Sequence, residues 1–184
     1  MQRIEKDKIK ELVLETLIAA DIHSLPVDLN KIFSCYGWGL VSYDTARKRG
    51  IDVEQSDDAC LKSVEFGEGQ WSHVICYNEK HPPVRIRWSI AHEIGHIRLR
   101  HYIKQSVDQN DERDAHYFSE QLFMPVAVLA RLGAKTAEDL TRFCRVSYTA
   151  AKNRLPDLDR HRKYYSMYGS TKRDKMFLRQ FFID

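Results

Sequence analysis

The segment His92-Glu93-Ile94-Gly95-His96 sets two imidazoles four residues apart with a carboxylate between them. On a helix four residues make about one turn, so both rings reach a single tetrahedral metal ion from the same face. A zinc ion held there supplies Lewis acidity: it lowers the pKa of water to about 7 and polarises a carbonyl. Glu93, alongside, is the base expected to take the proton as water attacks. The chemistry implied is metal-assisted hydrolysis of a peptide bond. At this chain's own His and Glu frequencies, about 0.02 such segments are expected by chance.

A helical wheel at about 100° per residue gives the motif a direction. His92 and His96 centre on one side, while Ile90, Ile94 and Ile97 centre about 150° away. The isoleucines are expected to pack and the histidines to face elsewhere. His101 falls on the isoleucine side, about 160° from the metal face, and is not expected as a ligand. A metzincin spacing is absent, because Leu99 and Tyr102 stand where Gly and His are required.

A catalytic zinc site usually has three protein ligands and one open position. The third is sought in Asp111-Glu112-Arg113-Asp114-Ala115-His116-Tyr117-Phe118, where Ala115, Phe118 and Leu122 form an apolar stripe. Asp114 and Glu112 flank that stripe by about 80° on either side, and the wheel does not choose between them. Acids in the first turn of a helix also suit its dipole without any metal.

These residues require elements to hold them. Lys6 to Ala20 spaces Ile9, Leu12, Val13, Leu17 and Ala20 as an amphipathic helix, and Val27 to Phe33 suggests a second, short one. Gly37 to Tyr43 and Leu61 to Phe66 read as extended, and Gly67-Glu68-Gly69-Gln70 as a turn into the strand Trp71 to Tyr77. That strand is the expected edge on which an extended peptide is held. The polar stretch Arg47 to Ala59 reads as a solvated connection. Pro82-Pro83 opens one helix running from Arg85 to about Tyr102, with Arg85 on the histidine face, and a further helix runs from about Asp111 to Met124, closed by Pro125. Thr136 to Phe143 and Thr149 to Leu155 give two short helices around a tight turn.

Composition sets the class. The chain has 184 residues, 43% hydrophobic and 30% charged, enough for one globular domain or one domain with an appendage. No apolar run approaches the roughly 20 residues needed to cross a bilayer, so no membrane is expected and a cytoplasmic location is the default. Cys35, Cys60, Cys76 and Cys144 stand singly and read as small core residues. The formal net charge of +3 is concentrated after Arg154, in a basic and aromatic C-terminal end.

Two segments together, Arg85 to His96 and Asp114-Ala115-His116-Tyr117-Phe118-Ser119-Glu120-Gln121-Leu122-Phe123-Met124-Pro125, resemble the ImmA/IrrE family of metallopeptidases. Leu25-Pro26-Val27-Asp28, Val146-Ser147 and Arg154-Leu155 extend the resemblance over roughly residues 6 to 155. The resemblance implies a mainly helical α+β, zincin-like fold with a small sheet of about three strands beside the zinc helix. It implies His92 and His96 as zinc ligands, Glu93 as the base and Asp114 in the third-ligand place, with manganese as an alternative metal. Where the family has Glu at that place this chain has Asp, one methylene shorter, so Asp114 must sit closer to the metal or yield to Glu112. The substrate implied is a helix-turn-helix repressor, cleaved to relieve repression.

The expected organisation is a metallopeptidase domain over 1–130, with a helical segment and basic aromatic tail over 131–184 packed on it. Two alternatives compete with peptidase activity. One is a DNA-binding regulator using the helices between Thr136 and Leu155, with Arg160-His161-Arg162-Lys163 and Lys172-Arg173 on phosphates and Tyr164, Tyr165 or Tyr168 on bases. The low overall charge argues against it, and Phe177, Phe181 and Phe182 read as a tail docked on a core. The other is a zinc-bearing regulatory module without peptidase activity.

Overall fold

The structure is a computed structural model and describes residues 5–53, 58–65, 71–104 and 106–182. In chain order the elements are α1 (Lys6–Ala19), α2 (Leu29–Tyr36), β1 (Gly39–Ser42), α3 (Tyr43–Lys48), β2 (Ala59–Glu65), β3 (Trp71–Tyr77), α4 (Pro83–Arg98), a 3-10 turn (His101–Ile103) and α5 (Gln109–Phe123). After these come α6 (Val126–Arg131), α7 (Ala137–Cys144), α8 (Tyr148–Tyr168) and α9 (Lys172–Phe181). The fold is the expected α+β class, mainly helical with one three-stranded mixed sheet. The chain divides into two compact units, one of residues 29–119 and one that joins residues 4–28 to 120–184, with the division falling inside α5.

In the first unit the strand order is β1-β3-β2, with β3 parallel to β1 and antiparallel to β2. β3 is therefore paired on both sides, and the edge bordering α4 is β2, not the Trp71–Tyr77 strand that the sequence suggested. The difference arises because Val74-Ile75-Cys76 is the most apolar strand segment, and apolar strands belong at a sheet's centre, where both faces are covered. Val74 and Cys76 share a buried cluster with Tyr43, Ala46 and Val53. Ile75, pointing to the opposite face by strand alternation, is also fully buried. Helix α4 packs on β2 and β3, and Ile90, Ile94 and Ile97 are buried as the wheel requires.

Four local expectations are corrected. The polar connection expected over Arg47 to Ala59 starts inside the helix α3, whose last residues are Arg47 and Lys48 and which is capped by the Ser42 side chain accepting from the Thr45 N–H; residues 54–57 lie outside the described residues, as does the turn at 67–70. The helix α4 stops at Arg98 and not near Tyr102, because Arg100 adopts a left-handed conformation, φ +60°, before the 3-10 turn. A glycine normally announces such a stop; an arginine there carries no signal and costs about 1 kcal/mol or more. Helix α6, a single short stretch between Pro125 and Gly133, was not expected at all.

The fourth correction lies in the second unit. The segment expected to end near Leu155 is the first third of the 21-residue helix α8, which continues through Pro156. An interior proline costs about 3 kcal/mol. The helix is pinned on both sides of it by Ala151, Arg154 and Leu158, all buried on one stripe. This unit also holds α1, whose Ile9, Val13 and Leu17 are fully buried, and α9, whose Phe177 and Phe181 are buried as a docked tail requires.

Candidate metal centre

Helix α4 carries His92, Glu93 and His96 into a cleft of about 800 Å³. The opposite wall is the edge strand, through Ala59, Cys60, Leu61 and Ser63, and the rim includes Trp88, Tyr102 and Glu112. Position 95 controls how closely α5 approaches. A Cβ on Gly95 would stand 3.0 Å from the Ala115 carbonyl oxygen and 3.1 Å from the Ala115 Cα, so only glycine admits the α5 backbone at this distance. The approach brings the first turns of α5 within reach of the two histidines.

The His92 and His96 Nε2 atoms lie 3.0 Å apart. Glu112 places Oε2 3.0 Å from His92 Nε2 and Oε1 3.5 Å from His96 Nε2. Among the described residues these three form a group able to hold a metal ion. Donors about 2.0–2.1 Å from a tetrahedral zinc lie about 3.3–3.4 Å from one another, a spacing that the three observed separations bracket. Two imidazole nitrogens and a carboxylate converging on one point are a zinc donor set.

Asp114, the third ligand implied by the sequence resemblance, is not in this group; it is 4% exposed. Glu112 and Asp114 lie about 160° apart around α5, so one of them at most faces the histidines, and Glu112 is the one brought to them. Glu93 lines the same cleft. Arg85, noted on the histidine face, donates from Nε to Asp58 Oδ2 at 2.8 Å. That hydrogen bond holds the Asp58 carboxyl below its usual range.

Burial drives the imidazoles toward their neutral, ligating form. His96 is pushed down to about 3, by burial first and then by the neighbouring His92 and His101. His92 is also lowered by burial, with Glu112 partly offsetting the shift.

His101, outside the metal-holding group as expected, nevertheless contacts His96 on its other side. His101 is not on the isoleucine face, because α4 has already ended and Arg100 folds the chain back. Its Nδ1 lies 2.9 Å from His96 Nδ1, and its Nε2 lies 3.4 Å from Asp111 Oδ1. Asp111 in turn accepts from Lys104 Nζ and, at 3.1 Å, from the Asp108 N–H. Burial works against the charge on Asp111, but the Lys104 and Asp108 hydrogen bonds outweigh it and keep the carboxyl below its usual range. A wheel extended past its helix cannot find this arrangement. The sequence signal available was the proximity of three histidines to an acid-rich helix start.

The basic tail residues are largely matched by acids within their own unit. Arg160 pairs with Asp157, Arg162 Nη1 lies 3.7 Å from Asp159, and Arg173 reaches Asp7 at 2.7 Å and Glu11 at 3.3 Å. Among the described residues no helix is long and apolar enough to cross a membrane.

No curated protein matches the chain. A family model does: the IrrE N-terminal-like domain of the M78 peptidases matches residues 46–156, a span that takes in the edge strand, the histidine helix and the whole of α5. With more than half its length inside that match, and with the His92–His96–Glu112 group at its centre, the chain belongs to the ImmA/IrrE family of IrrE N-terminal-like peptidases.

Proposed function

We propose that the chain is a zinc-dependent endopeptidase, with His92, His96 and Glu112 as metal ligands and Glu93 as general base. The observation carrying this reading is the convergence of the two Nε2 atoms and the Glu112 carboxylate in a cleft that Glu93 also lines. When bound, zinc supplies Lewis acidity, which lowers the pKa of water and polarises the scissile carbonyl. Glu93 takes a proton from the attacking water and delivers it to the leaving nitrogen, and the water's second proton follows to the same nitrogen, so that one peptide bond and one water become a carboxylate and a protonated amine. The outer edge of β2 has no strand partner among the described residues, and it offers main-chain donors and acceptors to an extended peptide lying in the cleft. Manganese is an alternative metal for the same donors.

The substrate class proposed is a helix-turn-helix repressor, cleaved to relieve repression, and it rests on family membership. The catalytic functions are assigned to residues 1–130. The experiment is zinc analysis of the wild type and of Glu93→Gln, with each incubated with the repressor encoded beside the gene. About one zinc per chain in both proteins, with cleavage only by the wild type, is the expected result. A wild type that holds no metal, or a variant that cleaves as well as the wild type, rules out the mechanism. Glu112→Gln and Asp114→Asn then separate the two acids: zinc affinity is expected to fall with the first by more than the roughly 10–100-fold cost of changing an outer partner, and to fall less with the second.

A further inference from the structure

We infer that His101 and Asp111 form a proton-ordering pair behind His96, positioning residues that fix which of its nitrogens faces the metal. The inference rests on the reading of His92, His96 and Glu112 as metal ligands.

A neutral imidazole carries one N–H and one lone pair, and only the lone pair binds a cation. His96 turns Nε2 toward His92 and Glu112 and Nδ1 toward His101 Nδ1 at 2.9 Å. Of two facing ring nitrogens, one must donate and the other accept. If His101 donates, His96 is left with its proton on Nε2, the tautomer that cannot bind metal. If His96 donates, its Nε2 lone pair is free for the metal, and the His101 proton must sit on Nε2.

The surroundings of His101 choose the second arrangement. Its ring is 1% exposed, so water does not compete for either nitrogen. Its Nε2 has no hydrogen-bond partner among the described residues, and Asp111 Oδ1 lies 3.4 Å from it. Even off hydrogen-bond geometry, the carboxylate's charge at 3.4 Å favours an N–H on this nitrogen over a lone pair. Asp111 is 4% exposed and is anchored by Lys104 and the Asp108 N–H, so it cannot swing away to solvent. The protons are thus ordered along one line, from the outward nitrogen of His96 through His101 to the carboxylate. An acceptor behind a ligating histidine also raises its basicity toward the metal.

The test uses the full chain and reads zinc affinity by chelator competition, the visible spectrum of the cobalt-substituted protein, and imidazole 15N shifts. His101→Phe fills the space without an acceptor, and its zinc affinity is expected to fall about 10–100-fold, with an altered cobalt spectrum. His101→Asn places a carbonyl oxygen near the old Nδ1 and is expected to recover most of the loss, which a purely space-filling role does not predict. Asp111→Asn keeps the acceptor for the Asp108 N–H but removes the charge, and is expected to lose about tenfold; it carries the test if His101→Phe does not fold. The 15N shifts of the zinc-loaded wild type are expected to show His96 protonated at Nδ1 and His101 at Nε2. Zinc affinity within twofold of wild type in folded His101→Phe or Asp111→Asn, or a His101 protonated at Nδ1, overturns the inference alone. A wild type that takes no zinc overturns the metal reading and this inference with it.

Discussion

Two buried polar side chains, His96 in the first unit and Arg154 in the second, solve the problem of burial in opposite ways. Arg154 is 2% exposed and fully engaged: Nε and Nη2 donate to the Met124 carbonyl at 3.1 and 3.0 Å, and Nη1 donates to Asp157 at 2.7 Å. Every bond it makes is internal, and it ties the start of α8 to the chain that leaves α5. His96 is 6% exposed, yet the atom it turns into the cleft meets only another imidazole nitrogen and a carboxylate. One group is buried to complete the fold; the other is buried with its Nε2 set beside two further donors that can share a cation with it. Local departures from complete satisfaction are where function is to be sought.

Substitutions at the two residues should separate those roles. His96→Leu is expected to abolish zinc binding, read by metal analysis, while the denaturation midpoint of the metal-free protein falls less than in Arg154→Leu, the cost being the buried His101 Nδ1 left unpaired. An equal loss of stability at both residues would erase the contrast. Arg154→Leu leaves a buried carbonyl unpaired and is expected to lower unfolding free energy by about 3 kcal/mol in urea titration, with the zinc affinity of the folded fraction unchanged. Gly95→Ala lies between the two, because its methyl must displace the α5 backbone. It is expected to cost about 2 kcal/mol and also to weaken zinc binding by moving Glu112.

Acid sharpens the same contrast. His96 titrates near 6.5 when unfolded and near 3 when folded. Below pH 6.5 the unfolded chain therefore binds more protons, and stability falls as pH drops from 6.5 toward 3 and is flat above 6.5. Metal-free protein is expected to show this slope in thermal midpoints, and His96→Leu to make it shallower, with the lowered His92 and His101 leaving a residual slope. The smallest effect is expected at Thr136, whose hydroxyl and the Asp139 carboxylate cap α7 reciprocally. Thr136→Ala should cost about 1 kcal/mol and leave zinc affinity untouched.

The site was legible wherever a helix stayed regular. The wheel separated His92 and His96 from Ile90, Ile94 and Ile97 because α4 is an unbroken helix across all five residues. It left His101 out of the metal group, as found, but misplaced its ring, one residue past the left-handed Arg100, where about 100° per residue no longer applies. It left Glu112 and Asp114 open because both flank the same apolar stripe, and only the close approach at Gly95 shows which flank meets α4. Strand identity was readable from β-branched and aromatic runs, but strand order was not, since pairing depends on partners far apart in sequence. The length of α8 was hidden by Pro156, whose local cost is outweighed by tertiary burial that a short window does not contain.

On the proposed reading, the outer edge of β2, which has no strand partner among the described residues, would limit what can be cut. A backbone already committed to the internal hydrogen bonds of a helix has no donors or acceptors left to offer that edge. Cleavage would then be confined to linkers, frayed ends or segments that open transiently, and its rate on a folded target would follow the free energy of local opening more than the residues flanking the bond. If the proposed function holds, a target would be made resistant or vulnerable by changing the stability of one short segment, with the cleaved bond itself left unaltered.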